Sequence, residues 1–194
     1  MAETSLSLLH RLQKDGAAAD WSRLVDLYTP LIQGWLKRHG LTGPDADDLL
    51  QDVLSVLIRE LPAFVHQERR GAFRAWLKTI TVNRACGFWR QRNAHAQPAG
   101  AADFGQVLDE LEDPNSRPSL IWNEEHDRHV MSRLLAAIEP EFNAVHWQAF
   151  RRQVFDGLPA SQVAAELGVT DNVVLLAKSR ILRRLRQEAS GLLD

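Results

Sequence analysis

Apolar residues recur every three or four positions along most of the chain, and this spacing predicts a protein built from helices. In residues 20–39 the apolar side chains fall on one helical face, and Gly40 follows as a helix stop. The same spacing marks residues 5–14, 45–61, 72–92, 120–138, 141–155, 159–167 and 171–192. No segment has a convincing strand pattern. The sequence therefore predicts an all-α fold.

The helical pattern is interrupted between residues 93 and 119. This stretch is rich in alanine, glycine, proline and acidic residues, which is typical of a linker, and one helical turn is expected around Leu108. Two small helical domains are expected on either side of it. The predicted division is a first domain at 1–95, an acidic linker at 96–118 and a second domain at 119–194.

Composition and length fit a soluble globular protein. The chain has 194 residues, of which 45% are apolar and 25% charged. No apolar run is long enough to cross a bilayer, and the N-terminus has no signal-peptide core, so a cytoplasmic protein without membrane insertion is expected. The single cysteine, Cys86, excludes an intrachain disulfide, and a packed thiol is its expected role.

Charge is unevenly distributed along the chain. The net charge of −2 argues against a nucleic-acid-binding protein when taken alone. Residues 66–92, however, contain seven arginines and lysines against one acid, and residues 178–186 contain five against none. Local patches determine nucleic-acid affinity more than net charge does. Two basic patches separated by acidic stretches therefore indicate two DNA contacts.

The most specific local pattern lies at residues 158–188 and predicts a helix-turn-helix. Gly168 supplies the turn between two short helices, and Thr170 is placed to cap the second one. A recognition helix packs one face on its scaffold and presents the other to the major groove. The expected packing face carries Val174, Ile181, Leu182 and Leu185, and the opposite face carries Arg180, Arg183 and Arg184. A solvated basic helix on an ordinary bundle is the alternative.

An acidic stripe is predicted on the helix at residues 45–61, within a motif that spans residues 44–64. Asp45, Asp48 and Asp52 recur at helical spacing with Gln51 beside them, opposite an apolar face. A solvated helix face is one interpretation, and acid–base chemistry or metal binding is another. No histidine or cysteine lies nearby in sequence to complete a metal site.

Basic and aromatic residues alternate in the segment at residues 69–92. Basic side chains follow phosphates, and aromatic rings stack on unpaired bases. Trp89 is expected on an exposed face. The predicted core face carries Phe73, Leu77, Ile80 and Phe88.

Together these motifs resemble the extracytoplasmic-function class of bacterial RNA polymerase sigma factors, from about Trp21 to the C-terminus. The resemblance implies that D-A-D-D-L-L-Q-D-V at 45–53 docks on the largest polymerase subunit through Asp45, Asp48, Gln51 and Asp52. It implies that R-G-A-F-R-A-W-L at 70–77, continuing to residue 92, melts and reads the −10 promoter element. The −10 residues would be Arg70, Arg74, Lys78, Asn83, Trp89 and Arg90. The helix-turn-helix would read the −35 element through Thr170, Asn172, Lys178, Arg180, Arg183 and Arg184.

The resemblance also implies how the protein works and with what. It would bind core RNA polymerase and promoter DNA, catalyse no reaction, and need no cofactor or metal. Its acidic linker would run towards the polymerase active site and RNA exit path. Bases extruded from the opening −10 duplex would be held near the loop at residues 65–71. An anti-sigma factor or another regulator is an expected partner.

Two segments depart from the family pattern. Val82 and Gly87 stand where the family often has a basic and an acidic residue around Asn83. Leu175, Leu176 and Ala177 stand where a basic-Ser-basic triplet is common. These departures leave open which bases the protein reads.

Two other functions remain compatible with the residues alone. A stand-alone helix-turn-helix regulator would bind duplex DNA without polymerase, usually at paired half-sites. A helical metalloenzyme would use Glu125, His126 and His129, because the two histidines lie at i and i+3 on one helix.

Overall fold

A computed structural model of the chain describes residues 7–14, 16–65, 71–93, 110–111 and 113–193. Within these residues the chain forms helices and no strand, which confirms the all-α prediction. The helices are α1 (Leu8–Lys14), α2 (Ala18–Arg38), α3 (Pro44–Glu60), α4 (Ala72–Asn93), α5 (Arg117–Ile138), α6 (Ala144–Val154), α7 (Ala160–Leu167) and α8 (Asp171–Ala189), with 3₁₀ turns at Leu61–Ala63 and Glu139–Glu141.

Tertiary contacts divide the described residues into two compact units. The first unit runs from Leu8 to Val130 and includes residues 191–193, whereas the second runs from Met131 to Ser190 and includes Ser7. The division therefore falls inside α5 and not at the predicted linker, residues 96–118. The physical reason is that the N-terminal half of α5 carries buried side chains, Ser119, Trp122, His126 and Val130, that belong to the core of the first unit.

The core of the first unit is built from the apolar faces that the periodicity predicted. Every predicted face residue of α2 and α3 is buried, and α3 packs against both α2 and α4. Burying one such side chain contributes about 1.5–3 kcal/mol, so this core dominates the stability of the unit. The buried residues are Leu24, Leu27, Tyr28, Leu31, Ile32 and Trp35 of α2, Leu49, Val53, Val56 and Leu57 of α3, and Phe73, Leu77 and Ile80 of α4. Phe88, which was predicted on the same face of α4, is only half-buried, which corrects that part of the prediction.

The beginning of α3 follows from its local sequence. Pro44 occupies the first turn, where the missing N–H costs no helical hydrogen bond. Asp45 and Asp47 lie in the same turn, at the positive end of the helix dipole. Pro62 lies in the 3₁₀ turn that follows the helix, because proline cannot continue the helical hydrogen bonds.

The second unit packs three helices around small buried residues. Ala149 of α6, Val163 and Ala164 of α7, and Val174 and Ala177 of α8 form one cluster. Small side chains allow the helices α7 and α8 to approach closely at the turn between them. Among the helices that the structure describes, none is both long and apolar enough to cross a membrane.

Candidate nucleic-acid interface

The acidic stripe of α3 faces solvent. Asp48, Gln51 and Asp52 are exposed and Asp45 is half-buried, whereas Leu49 on the same helix is buried. The three aspartates therefore form an anionic surface on the outside of the first unit. An exposed carboxylate acts on a charged partner without first losing contacts inside the protein.

A shallow groove of about 230 Å³ joins the acidic stripe to the second half of α4. Asp48 and Asp52 line one side of it. Asn83 and Arg84 line the other, together with Phe88. Residues predicted to bind polymerase and a residue predicted to bind DNA thus share one surface.

The predicted −10 residues of α4 differ in how accessible they are. Asn83 and Arg90 are exposed. Trp89 is half-buried, which corrects the expectation of an exposed ring, because the indole packs edge-on against Phe88 with ring centroids 6.1 Å apart. Arg70 lies outside the described residues.

Two predicted −10 residues, Arg74 and Lys78, are bound to neighbours within the first unit. Arg74 Nη1 donates to both carboxylate oxygens of Asp127, at 2.6 and 2.5 Å. Lys78 Nζ donates to Ser119 Oγ at 2.8 Å, and that hydroxyl donates to the Leu111 carbonyl at 3.3 Å. Desolvation lowers the pKa of Lys78, although the charge of Asp113 opposes this. Neither Asp127 nor Ser119 was identified from the sequence, where no local pattern marks them.

Gly71 allows Arg74 to lie over the start of α4. Its backbone has φ +71°, a left-handed conformation that glycine adopts without a steric penalty. A Cβ at this position would lie 2.7 Å from Arg74 Nη2, closer than a Cβ atom approaches another heavy atom. Its carbonyl accepts the first helical hydrogen bond of α4 from Ala75 N at 2.9 Å. Any larger residue would strain the turn and displace the guanidinium.

An open cleft of about 900 Å³ lies beside these two cations. Phe64 and Trp76 line it with stacked rings whose centroids are 4.6 Å apart. Val65, also in the lining, is 74% exposed. Aromatic rings next to a guanidinium and an ammonium suit a ligand that has both a flat base and a phosphate.

The candidate metal ligands of α5 all have protein partners. His126 is fully buried, with Nε2 3.4 Å from the Tyr28 hydroxyl and Nδ1 3.1 Å from Asp127 Oδ1. Burial lowers the pKa of His126 to about 4 despite its hydrogen bond to Asp127. His129 Nε2 lies 2.7 Å from the Leu27 carbonyl, and Glu125 pairs with Arg38. Within the described residues, no group of three or more potential ligands is placed to hold a metal ion.

The helix-turn-helix has the predicted turn and cap. Helix α7 ends at Gly168, whose φ of 66° and ψ of 33° are left-handed. Thr170 caps α8 by accepting a hydrogen bond from Val173 N at 3.4 Å. The buried face of α8 carries Val174, Ala177, Ile181 and Leu185, and Leu182 is half-buried. The exposed face carries Asn172, Leu175, Leu176, Arg180 and Arg183.

Arg184 does not share that exposed face, which corrects the sequence-based expectation. Its Nε and Nη2 donate to the two carboxylate oxygens of Glu141 at 2.7 and 2.8 Å. Its Nη1 forms an ion pair with the buried Glu188 at 2.7 Å. Hydrogen bonding to Glu141 raises the pKa of the guanidinium. Arg184 therefore ties α8 to the turn after α5, while Lys178 is half-buried on the same helix.

The chain is similar in sequence to known sigma factors. Residues 24–95, from within α2 to just beyond α4, match the model of sigma-70 region 2. Over 177 residues the chain is 25% identical to RNA polymerase sigma factor CarQ of Myxococcus xanthus, an alignment that covers 90% of this chain and 91% of that protein. Both matches support an RNA polymerase sigma factor of the extracytoplasmic-function class.

The match to sigma-70 region 2 falls on the first unit. The matched segment contains the acidic stripe, the groove beside it and the basic helix α4. Sigma factors in general are transcription initiation factors that catalyse no reaction of their own and act with core polymerase on promoter DNA.

Proposed function

We propose that this sigma factor docks on core RNA polymerase through α3 and holds the −10 and −35 promoter elements with α4 and α8. The observation that carries the proposal is that the acidic stripe and α4 border one groove inside the segment that matches sigma-70 region 2. Polymerase docking and −10 recognition would thus use adjoining surfaces of one unit.

Docking would use the acidic stripe, Asp45, Asp48, Gln51 and Asp52. Exposed carboxylates on a rigid helix attract a basic partner over a Debye length of about 8 Å at physiological salt. Because the opposite face of α3 is buried, the helix presents these groups with little freedom to move. This combination supports a charged and specific contact with the polymerase clamp.

Recognition of the −10 element would use α4 and the cleft beside it. Arg70, Arg74, Lys78 and Arg90 would hold phosphates, which makes the affinity dependent on salt. Asn83 and Trp89 would contact the opened strand. An extruded base fits the cleft at Phe64 and Trp76, and stacking on such rings contributes about 1–3 kcal/mol per base.

Recognition of the −35 element would use the exposed face of α8. Thr170 and Asn172 lie at the helix N-terminus, the part of a recognition helix that contacts base edges. Arg180 and Arg183 are exposed and suited to phosphates or guanine. Lys178 would add a phosphate contact, and Arg184 would hold α8 in place through Glu141 and Glu188.

Transcription in vitro tests the proposal. Core polymerase and a promoter library would be incubated with and without the full-length protein, and run-off transcripts sequenced. Initiation that depends on the protein and starts downstream of a shared two-part element is expected. Binding to duplex DNA in the absence of polymerase should be weak, whereas a stand-alone regulator would bind there. Absence of both initiation and core binding would overturn the proposal.

The cellular setting follows from the same role. A subunit of RNA polymerase acts in the cytoplasm, where the chromosome is transcribed. Family resemblance supports control by an anti-sigma factor or another regulator. Co-purification of such a regulator with the tagged protein, and its displacement of core polymerase in vitro, would test this.

A further inference from the structure

The chain that precedes and begins α5 lies over α4 within the first unit. We call residues 110–111 and 113–130 the cover segment. It is anchored by buried side chains, among which Leu111 and Trp122 are each 2% exposed. The Trp122 ring packs edge-on against Trp35 of α2, with centroids 5.5 Å apart. The cover segment is thus part of the folded unit.

The cover segment contacts two basic side chains of α4 that are proposed to bind the −10 element. Asp127 accepts two short contacts from Arg74, and Ser119 accepts one from Lys78. Both contacts to Asp127 use Arg74 Nη1, so a DNA phosphate bound at that nitrogen would have to replace the carboxylate. The contacts of Arg74 and Lys78 with the cover segment and their contacts with DNA therefore partly exclude one another.

We propose that the cover segment competes with promoter DNA for Arg74 and Lys78 and keeps the free sigma factor in a low-affinity form. This inference rests on the proposed role of α4 in −10 binding. Binding to polymerase and opening of the promoter would shift both cations from Asp127 and Ser119 to DNA phosphates. The free protein would thereby avoid non-specific nucleic acid despite its basic helix.

The ion pair between Arg74 and Asp127 is accessible enough to exchange partners. The Arg74 side chain is 20% exposed and that of Asp127 is 46% exposed, so water and salt reach the ion pair. Ion pairs that solvent reaches contribute little to stability, whereas the buried anchors hold the segment in place. The polar contacts can therefore exchange partners without unfolding the unit.

A rival explanation makes the opposite prediction. If Asp127 positions Arg74 for DNA, then removing the carboxylate would weaken DNA binding. If Asp127 competes with DNA, then removing it would strengthen binding. The sign of the change in affinity separates the two roles.

The test uses the full-length protein, a fluorescein-labelled single-stranded 16-nucleotide DNA and anisotropy at low salt. Asp127→Asn should bind about five-fold or more tightly than wild type, the lower end of typical coupling between sites. Glu124→Gln is the matched control, since it removes one negative charge from an exposed position of α5. It should stay within about two-fold of wild type, the weak response expected of one exposed charge.

A second variant and a double mutant complete the test. Ser119→Ala should also bind DNA more tightly, because it removes the contact between Ser119 and Lys78. This variant tests the competition on its own if Asp127→Asn fails to fold. The gain from Asp127→Asn should vanish in an Arg74→Ala background. Unchanged or weaker binding of both variants, or a gain that survives Arg74→Ala, would overturn the competition.

The result is separable from that of the proposed function. Transcription that depends on the protein, combined with no gain in either variant, would refute the competition alone. A gain in Asp127→Asn without any initiation would refute the promoter role and leave only a competition with single-stranded DNA.

Discussion

The two predicted DNA-reading helices, α4 and α8, look alike in sequence and differ in how their cations are used. On α4, Arg74 and Lys78 are bound by Asp127 and Ser119 of the same unit. On α8, Arg180 and Arg183 are exposed, and of the arginines assigned to that face only Arg184 is tied to carboxylates. Under the proposed function, Arg74 and Lys78 of α4 exchange partners before they bind DNA, whereas Arg180 and Arg183 of α8 are already exposed.

The difference shows that tertiary contacts determine whether a basic side chain is accessible to DNA. Each helix carries a run of basic residues with helical spacing. What distinguishes their arginines is the carboxylate that the fold brings to each one. The following predictions test whether the difference between α4 and α8 controls DNA binding.

The largest expected effect is on the anchor of the cover segment. Trp122→Ala removes a buried ring and should destabilise the first unit by about 3–5 kcal/mol. The measurement is urea denaturation followed by circular dichroism. The exposed Leu120→Ala on the same helix is the control and should change little. A loss below about 1 kcal/mol for Trp122→Ala would mean that the segment is not part of the folded unit.

Neighbouring arginines of α8 should behave oppositely. Arg183→Ala should weaken −35 binding by the holoenzyme by about 1–3 kcal/mol and leave the melting temperature unchanged. Arg184→Ala should lower the melting temperature, since it removes the ion pair between Arg184 and the buried Glu188, at a cost of about 1–3 kcal/mol. Equal effects of the two variants on the melting temperature would contradict the different roles assigned to Arg183 and Arg184.

These predictions separate what the sequence reveals from what it does not. Periodicity located the buried faces of α2 and α3, because each face depends only on spacing within one helix. It did not reveal that Asp127 binds Arg74 or that Glu141 binds Arg184, since those partners are 53 and 43 positions apart. The half-burial of Trp89 likewise depends on how Phe88 packs. The sequence indicates which basic and aromatic residues are candidates for DNA binding. Whether each side chain is exposed or bound to a neighbour depends on the tertiary fold.

Acid should loosen the cover segment on α4 selectively. The pKa of His126 falls from 6.5 to about 4 on folding, so the unfolded chain binds more protons between these values. Stability is therefore complete above pH 6.5 and is lost as the pH falls, by about 1 kcal/mol at pH 5.5. The groups that face His126 are Asp127, Arg74, His129 and Tyr28.

The measurement is denaturation of the first unit across pH 5–7.5, with α8 unaffected over that range. His126→Asn should lose this part of the pH dependence. An identical pH profile for wild type and variant would exclude His126 as its source.

The smallest expected effect concerns Leu175 and Leu176, which are 51% and 45% exposed on α8. Apolar side chains in the major groove contact the methyl group of thymine. Replacing thymines of a selected −35 element by deoxyuridine should cost about 0.8 kcal/mol per contacted methyl. Leu175→Ala with Leu176→Ala should make the protein insensitive to that replacement. Equal sensitivity of variant and wild type would remove these leucines from base recognition.

The central claim, that the protein docks on core polymerase through its acidic stripe, is tested most directly by measuring core binding of Asp48→Arg by size-exclusion chromatography. Asp48 is exposed, so the fold and the melting temperature should be unchanged. Asp26→Arg makes the same charge reversal at an exposed position of α2 and serves as the control. The expected result is that wild type and Asp26→Arg co-elute with core polymerase and Asp48→Arg does not. Co-elution of a folded Asp48→Arg with the polymerase, to the same extent as wild type, would contradict the claim.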